Sequence, residues 1–208
     1  MDILNQLSSS QGDKTENSNR KVAEICIKEP KLIQDIASGF ESKDKKLLAD
    51  CIEVFTMIAE NHPEMISSFV DKITPLLSNK ETKVRWEAAH TLAYIADRVP
   101  DQIFTILPEL QEIVEKDIST IVRDYTLEAI ANYAKVNKET SENAYGVLKR
   151  TLDIWEEKHA KQVFKGFNNI IDNQQKYGSE IIKLVEPYLN AKKKIVVTEA
   201  KKLLKKMI

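Results

Sequence analysis

The densest set of side chains able to ligate a metal or move a proton is Asp153, Glu156, Glu157 and His159. Asp153 and Glu157 stand four apart, so a helix would put both carboxylates on one face. Carboxylates with an imidazole are donors for zinc or a hard cation. Such a site needs more ligands, and no second set lies nearby in the chain, so these residues read as a charged turn between helices. The other histidines are dispersed: His62 precedes Pro63, and His90 falls mid-helix beside a packing face. There is no Gly-rich phosphate loop, H-E-x-x-H, C-x-x-C or nucleophile elbow. The expectation is no catalytic residue, no cofactor and no metal, hence no enzyme. Cys26 and Cys51 sit among apolar neighbours and read as buried, reduced thiols.

The elements that would position any site follow from one recurring spacing. Apolar residues fall at 0, +3, +4, +7, +10 and +11 from Ile66 (Phe69, Val70, Ile73, Leu76, Leu77) and from Ile103 (Ile106, Leu107, Leu110, Ile113, Val114). Weaker copies start at Glu29, Ser141 and Gly178, so the starts lie 37, 37, 38 and 37 residues apart. A fixed period of this length marks a stacked helical repeat. A second pattern precedes each copy: Val84, Ala88, Leu92 and Ile95 recur as Val122, Thr126, Ile130 and Tyr133, then as His159, Val163, Phe167 and Ile170. Each unit is therefore a helical hairpin. Breakers separate the two arms at His62-Pro63 and Val99-Pro100, and in the fourth unit Thr140 or Ser141 is the candidate N-cap.

Between units stand Asn79-x4-Val84-Arg85 and Asp117-x4-Val122-Arg123. This resembles the HEAT-repeat (armadillo-like) signature of an Asp in the turn and Val-Arg opening the next helix. The resemblance covers roughly residues 29–208 and is loose at both ends. It implies an all-α, right-handed α-solenoid (an α-α superhelix) of about five HEAT-like hairpins plus a capping helix. It also implies that Asn79, Arg85, Asp117 and Arg123 form a structural ladder between repeats. The expected layout is a tail or weak helix over 1–16 and one repeat domain over 17–208. Its hairpins are about 17–42, 43–79, 80–117, 118–155 and 156–190, with a terminal helix at 194–208. Some HEAT-like proteins excise damaged bases with aromatic residues in a basic cleft. Here Trp86 lies on a first helix, Trp155 at a turn, and the cleft is not basic. Others handle bilin pigments, and nothing in this chain marks that activity.

In such stacks the second helices line the concave face. Their non-packing positions here hold four basic residues (Lys31, Lys72, Arg150, Lys183) and five acidic ones (Asp35, Asp71, Glu109, Glu112, Glu180). A groove that tracks phosphates needs a basic excess, so nucleic acid is disfavoured there. Gly146, Val147, Leu184 and Pro187 put apolar or small groups at otherwise polar positions. Either they form a contact patch for a protein or peptide, or the helix phase slips by one residue and they are core. The candidate partner surface is Glu109, Glu112, Val147, Arg150, Leu184 and Pro187.

Residues 190–208 carry seven Lys and one Glu on a chain of formal charge −1, so a basic end sits on an acidic body. In the terminal helix Val196, Ala200, Leu203, Leu204, Met207 and Ile208 take one side, and Lys201, Lys202, Lys205 and Lys206 the other. That basic patch reads as a solvated cap, as a dock for an acidic protein, or as a contact for nucleic acid or anionic lipid. Hydrophobic content of 42% with 30% charge fits a folded domain and not a disordered one. No apolar run reaches the ~18 residues of a membrane span, and the N-terminus does not read as a secretory signal. The expectation is a cytoplasmic interaction module, monomeric or an end-to-end dimer, whose alternative is a nucleic-acid-associated protein acting through the terminal lysines.

Overall fold

The computed structural model describes residues 2–207; Met1 and Ile208, the latter assigned above to the terminal helix, lie outside the described residues. Among the described residues every regular element is a helix. The chain divides into two compact units, Met1–Val99 and Pro100–Ile208. The repeat spacing predicts one domain, and this boundary falls inside its expected hairpin 80–117.

The first unit begins with a 3-10 turn at Ile3–Gln6 and one helical turn at Ser8–Gln11. Ile3 and Leu7 are buried. Gly12 ends this segment in the left-handed region (φ 65), where a side chain would be strained. Helix α1 spans Asn17–Lys28, α2 Leu32–Ser38, α3 Lys45–Ala59 and α4 Thr82–Ile95. Asp44 caps α3 by accepting from the Lys46 and Leu47 amides. Between α3 and α4 the expected second helix is broken into short pieces, Pro63–Ile66, Ser67–Phe69, Val70–Ile73 and Thr74–Ser78. Pro75 contributes by withholding a backbone donor. The apolar register survives the breaks, since Ile66, Val70, Ile73, Leu76 and Leu77 are all buried. Phe55 sits edge-on to Phe40 and Phe69 at 4.8 and 5.2 Å. Burial pushes the Cys26 and Cys51 thiols up to about 11 and about 12, so both are protonated and inert at neutral pH.

The segment expected as a tail or weak helix is held by a buried polar network. Asn19, fully buried, accepts from the Ser8 amide at 2.8 Å and donates to Asp50 and Glu53 at 3.0 and 2.6 Å. Asp50 accepts from the Ser9 amide at 2.7 Å, and Lys83 donates to Glu53 at 3.2 Å. Residues 8 and 9 are thereby tied to α1 and α3, and α3 to α4.

The second unit holds α5 (Pro100–Lys116), α6 (Thr120–Tyr133), α7 (Lys138–Trp155), α8 (Ala160–Asn173), α9 (Gly178–Val185) and α10 (Lys194–Met207). A 3-10 turn, Glu186–Asn190, extends α9. Pro100 opens α5, where its missing N–H is unneeded. The cap of α7 lies upstream of the expected Thr140 or Ser141. Asn137 accepts from the Thr140 amide at 3.0 Å, and the Thr140 hydroxyl accepts from the Asn137 amide at 3.0 Å, a reciprocal capping box. Ser141 instead donates to the Ala134 carbonyl at 2.7 Å.

First helices α6 and α8 pack more closely than second helices α5 and α7, and α8 also packs closely on α7. Small residues permit this. A Cβ added to Gly166 of α8 would come within 2.5 Å of Leu148 Cδ1, and Leu148 is fully buried. Gly166→Ala is expected to cost about 1–3 kcal/mol by overpacking, measured by urea denaturation. An unchanged midpoint would mean that Leu148 repacks without strain.

Candidate functional site

The turn motifs fold as local clamps. Asn79 accepts from the Glu81 amide at 2.9 Å, and Arg85 donates to the Asn79 and Lys80 carbonyls at 2.9 and 3.1 Å. Asp117 accepts from the Ser119 amide at 2.8 Å, while Arg123 donates to the Asp117 carbonyl and, at 3.2 Å, to the Thr120 hydroxyl. The contact from Arg123 to the next repeat runs to a histidine: its Nε donates to His159 Nε2 at 3.0 Å. His159 is fully buried and places Nδ1 2.7 Å from Asp124. The Arg123 guanidinium also stacks 4.1 Å over Trp155.

This geometry accounts for the residues that opened the chemical reading. Both ring nitrogens of His159 are engaged, and Glu157 accepts from the Lys192 amide at 3.1 Å. Glu156 stands at φ 49, in a region that favours glycine, where α7 breaks toward the next repeat. Among the described residues no three His, Cys, Asp or Glu side chains come together as a metal site.

The proposed second-helix surface is only partly present. Val147 is 7% exposed and packs as core, so its inclusion is corrected. Its side chain lies beside the buried stripe of α7, the phase slip weighed above. Leu184 and Glu109 are half-buried, and Glu112, Arg150 and Pro187 are exposed. Two of these charges are already paired, Arg150 with Glu115 and Glu112 with Lys116. In the basic patch all four lysines are exposed, but Lys202 pairs with Glu199 and Lys206 with Asp172.

The feature that the sequence reading missed is a recess of about 180 Å³ on the first helices of the first unit. From α4 come Trp86, Glu87, His90 and Tyr94, from α3 Glu53, and from the position just past the end of α3 Glu60. Glu16 and Arg20, paired at 2.8 Å, stand at one rim. His90 stacks on Tyr94 at 4.8 Å. The Trp86 indole nitrogen is buried and has no hydrogen-bond partner. Glu87 is 4% exposed, and its carboxyl is pushed up to about 7. Burial is the main cause; the Glu53 and Glu16 charges add to it, and Thr56 and Lys83 act against it. Glu53 and Glu16 also border a larger open cavity of about 730 Å³ beneath the N-terminal segment. One signal was available in the sequence: Trp86, His90 and Tyr94 are spaced by four along one helix face.

Carboxylates beside aromatic faces hold an ammonium or guanidinium group. Such a lining matches a basic side chain.

No protein-family profile and no curated relative matches this chain. Solved structures do. An engineered protein solved as a structural-genomics target aligns at TM-score 0.74 with 20% identity, over 100% of this chain and 99% of its own. A designed armadillo repeat protein in complex with the peptide (KR)4 aligns at TM-score 0.73 with 19% identity, over 99% and 98%. A computationally designed armadillo repeat protein for modular peptide recognition aligns at TM-score 0.70 with 19% identity, over 98% and 97%. The fold is thus an all-α helical-repeat solenoid of the armadillo and HEAT kind.

Proposed function

We propose that this chain is a non-catalytic binding scaffold that takes an extended basic peptide on the first-helix face of its first unit. The observation that carries this reading is the acid-aromatic recess. Glu60 supplies an exposed negative charge, Glu53 adds one already shared with Asn19 and Lys83, Glu87 ionises as pH rises past about 7, and Trp86 and Tyr94 supply π faces. A Lys or Arg side chain laid against the aromatic faces reaches the exposed Glu60 carboxylate. The designed armadillo protein of the same fold holds (KR)4, which makes that peptide the natural probe.

The second-helix surface of Glu109, Glu112, Arg150, Leu184 and Pro187 is a weaker candidate for a protein or peptide partner, because its charges are largely paired. Nucleic acid held by Lys201, Lys202, Lys205 and Lys206 is weaker again, since two of the four lysines are neutralised by neighbours.

The test is calorimetric titration of (KR)4 against the wild type, Trp86→Ala, Glu60→Lys and Leu184→Asp. The first two variants are expected to bind at least ~10-fold more weakly, about 1.4 kcal/mol, with helicity retained. Leu184→Asp should bind as the wild type does. Equal binding by wild type, Trp86→Ala and Glu60→Lys would remove the recess from consideration, and a loss confined to Leu184→Asp would return the site to the second helices.

A further inference from the structure

One edge of the second unit is a row of turns between repeats. Trp155, at the turn between α7 and α8, donates its indole N–H to the Val114 carbonyl at 2.9 Å, beside the turn between α5 and α6. Glu157 of the same turn accepts from the Lys192 amide, in the turn that leads into α10. Three turns are thereby fixed side by side. Four isoleucines stand exposed along them: Ile118 at 88%, Ile121 at 37%, Ile154 at 40% and Ile195 at 50%.

The repeat register ties these residues to the turn itself. Lys43, Lys80, Ile118, Trp155 and Lys192 occupy one position of the repeat, and Lys46, Lys83, Ile121, Lys158 and Ile195 another. All but Trp155 are exposed, and neither position holds an acid. Ile121 is exposed with the following repeat packed beside its helix, so the exposure belongs to the turn. The free charges of the edge are mostly cations. Lys192, Lys193 and Lys194 are exposed and make no ion pair among the described residues, and Lys158 lies 4.9 Å over the Trp155 ring. Against them stand the exposed Asp153 and Glu156. Two further acids are engaged, Asp117 with the Ser119 amide and Glu157 with the Lys192 amide, and Lys116 is neutralised by Glu112.

We infer that this edge binds the surface of a bilayer containing anionic lipid. Ile118, Ile121, Ile154 and Ile195 enter the boundary between headgroups and acyl chains, while Lys158 and Lys192 to Lys194 meet lipid phosphates. Ile118 projects from its turn instead of lining a groove. A rigid protein surface would need a matching pit for it, whereas the acyl boundary takes any protruding aliphatic group. The excess of exposed lysines over exposed acids selects anionic over neutral lipid. The contact is with the surface, for no described helix is long and apolar enough to cross a membrane. The inference is independent of the recess, which lies in the other unit.

The probe is vesicles of phosphatidylcholine, with and without about 30% phosphatidylserine, sedimented with the full chain. Saturable co-sedimentation is expected with the anionic vesicles, at least ~10-fold tighter than with phosphatidylcholine alone and weakened several-fold between about 50 and 300 mM salt. It should fall at least ~10-fold in Ile118→Asp/Ile121→Asp and in Lys192→Gln/Lys193→Gln/Lys194→Gln. Lys201→Gln/Lys205→Gln, on the terminal helix, should change it by less than about threefold. Ile118→Ser alone, at the most exposed position, should bind several-fold more weakly with unchanged thermal stability, which guards against an effect of misfolding.

Several results would overturn the inference. They are no saturation by about 1 mM lipid, equal binding to both kinds of vesicle, or binding unaffected by the isoleucine variants, as attraction through lysines alone would give. A loss as large in Lys201→Gln/Lys205→Gln as in the triple lysine variant would overturn it too, and so would a dimer that is lost with Ile118→Asp/Ile121→Asp while the vesicles fail to bind.

Discussion

Arg123→Met is expected to destabilise the second unit by about 3–5 kcal/mol, the cost typical of breaking a buried polar network from one side. Arg123 is 2% exposed. Burial holds its guanidinium below the usual arginine range, while the Asp117 and Asp124 charges act the other way. Its removal leaves His159 Nε2 and the Asp117 carbonyl without their donor and the Trp155 face without its cation. A methionine fills the volume but satisfies neither acceptor. Arg85→Met is the control. Arg85 is half-buried and bonds to turn carbonyls, so its loss should cost about 1 kcal/mol. Urea denaturation followed by Trp155 fluorescence measures the first change and far-UV circular dichroism both. Equal losses for the two variants would mean that the His159 link contributes nothing beyond the turn clamp.

Glu87→Gln is expected to remove a pH dependence from the first unit. The folded state keeps the Glu87 proton until about pH 7, whereas the unfolded chain releases it near its ordinary 4.5. Between those values the native state binds more protons, so stability falls as pH rises from 4.5 to 7 and is level in this respect above 7. The full difference is on the order of 3 kcal/mol. The variant should therefore gain most over the wild type at pH 8 and little at pH 4.5. Parallel stability profiles for the two proteins would show that the carboxyl titrates normally.

The same proton links stability to the proposed ligand. A Lys or Arg side chain stabilises the ionised Glu87, so (KR)4 should bind more tightly as pH rises from about 6 to 8, with proton release. Calorimetry in two buffers of different ionisation enthalpy reads that release directly. Glu87→Gln should bind more weakly with a flat pH profile. Binding of (KR)4 that weakens with rising pH would contradict an acid at the base of the recess.

The helical repeat was legible because it is a property of one helix at a time. Residues three and four apart share a face whatever the helix packs against. Hence Ile103, Leu107, Leu110 and Val114 could be assigned to the core without knowing their neighbours, and all four are buried. At Asp117 and Arg123 the resemblance implied a ladder between repeats, whereas the Arg123 contact to the Asp117 carbonyl closes within its own turn. Val147 was misplaced because the exposed and buried faces of a helix differ there by a single residue step. Helix continuity was also over-read between Pro63 and Ser78, where an apolar register persists across several breaks.

What the sequence determined alone is the period, the helix type and the buried stripes, because these depend on local geometry and on the aversion of apolar groups to water. The tertiary structure alone decided which polar groups meet. Asn19 finds Asp50 and Glu53 across more than thirty residues, Arg123 finds His159 across 36, and the Glu87 carboxyl is pushed up to about 7 mainly by burial. Such encounters depend on how closely successive helices stack and on their relative rotation. Both arise from packing between repeats, which no single helix period encodes.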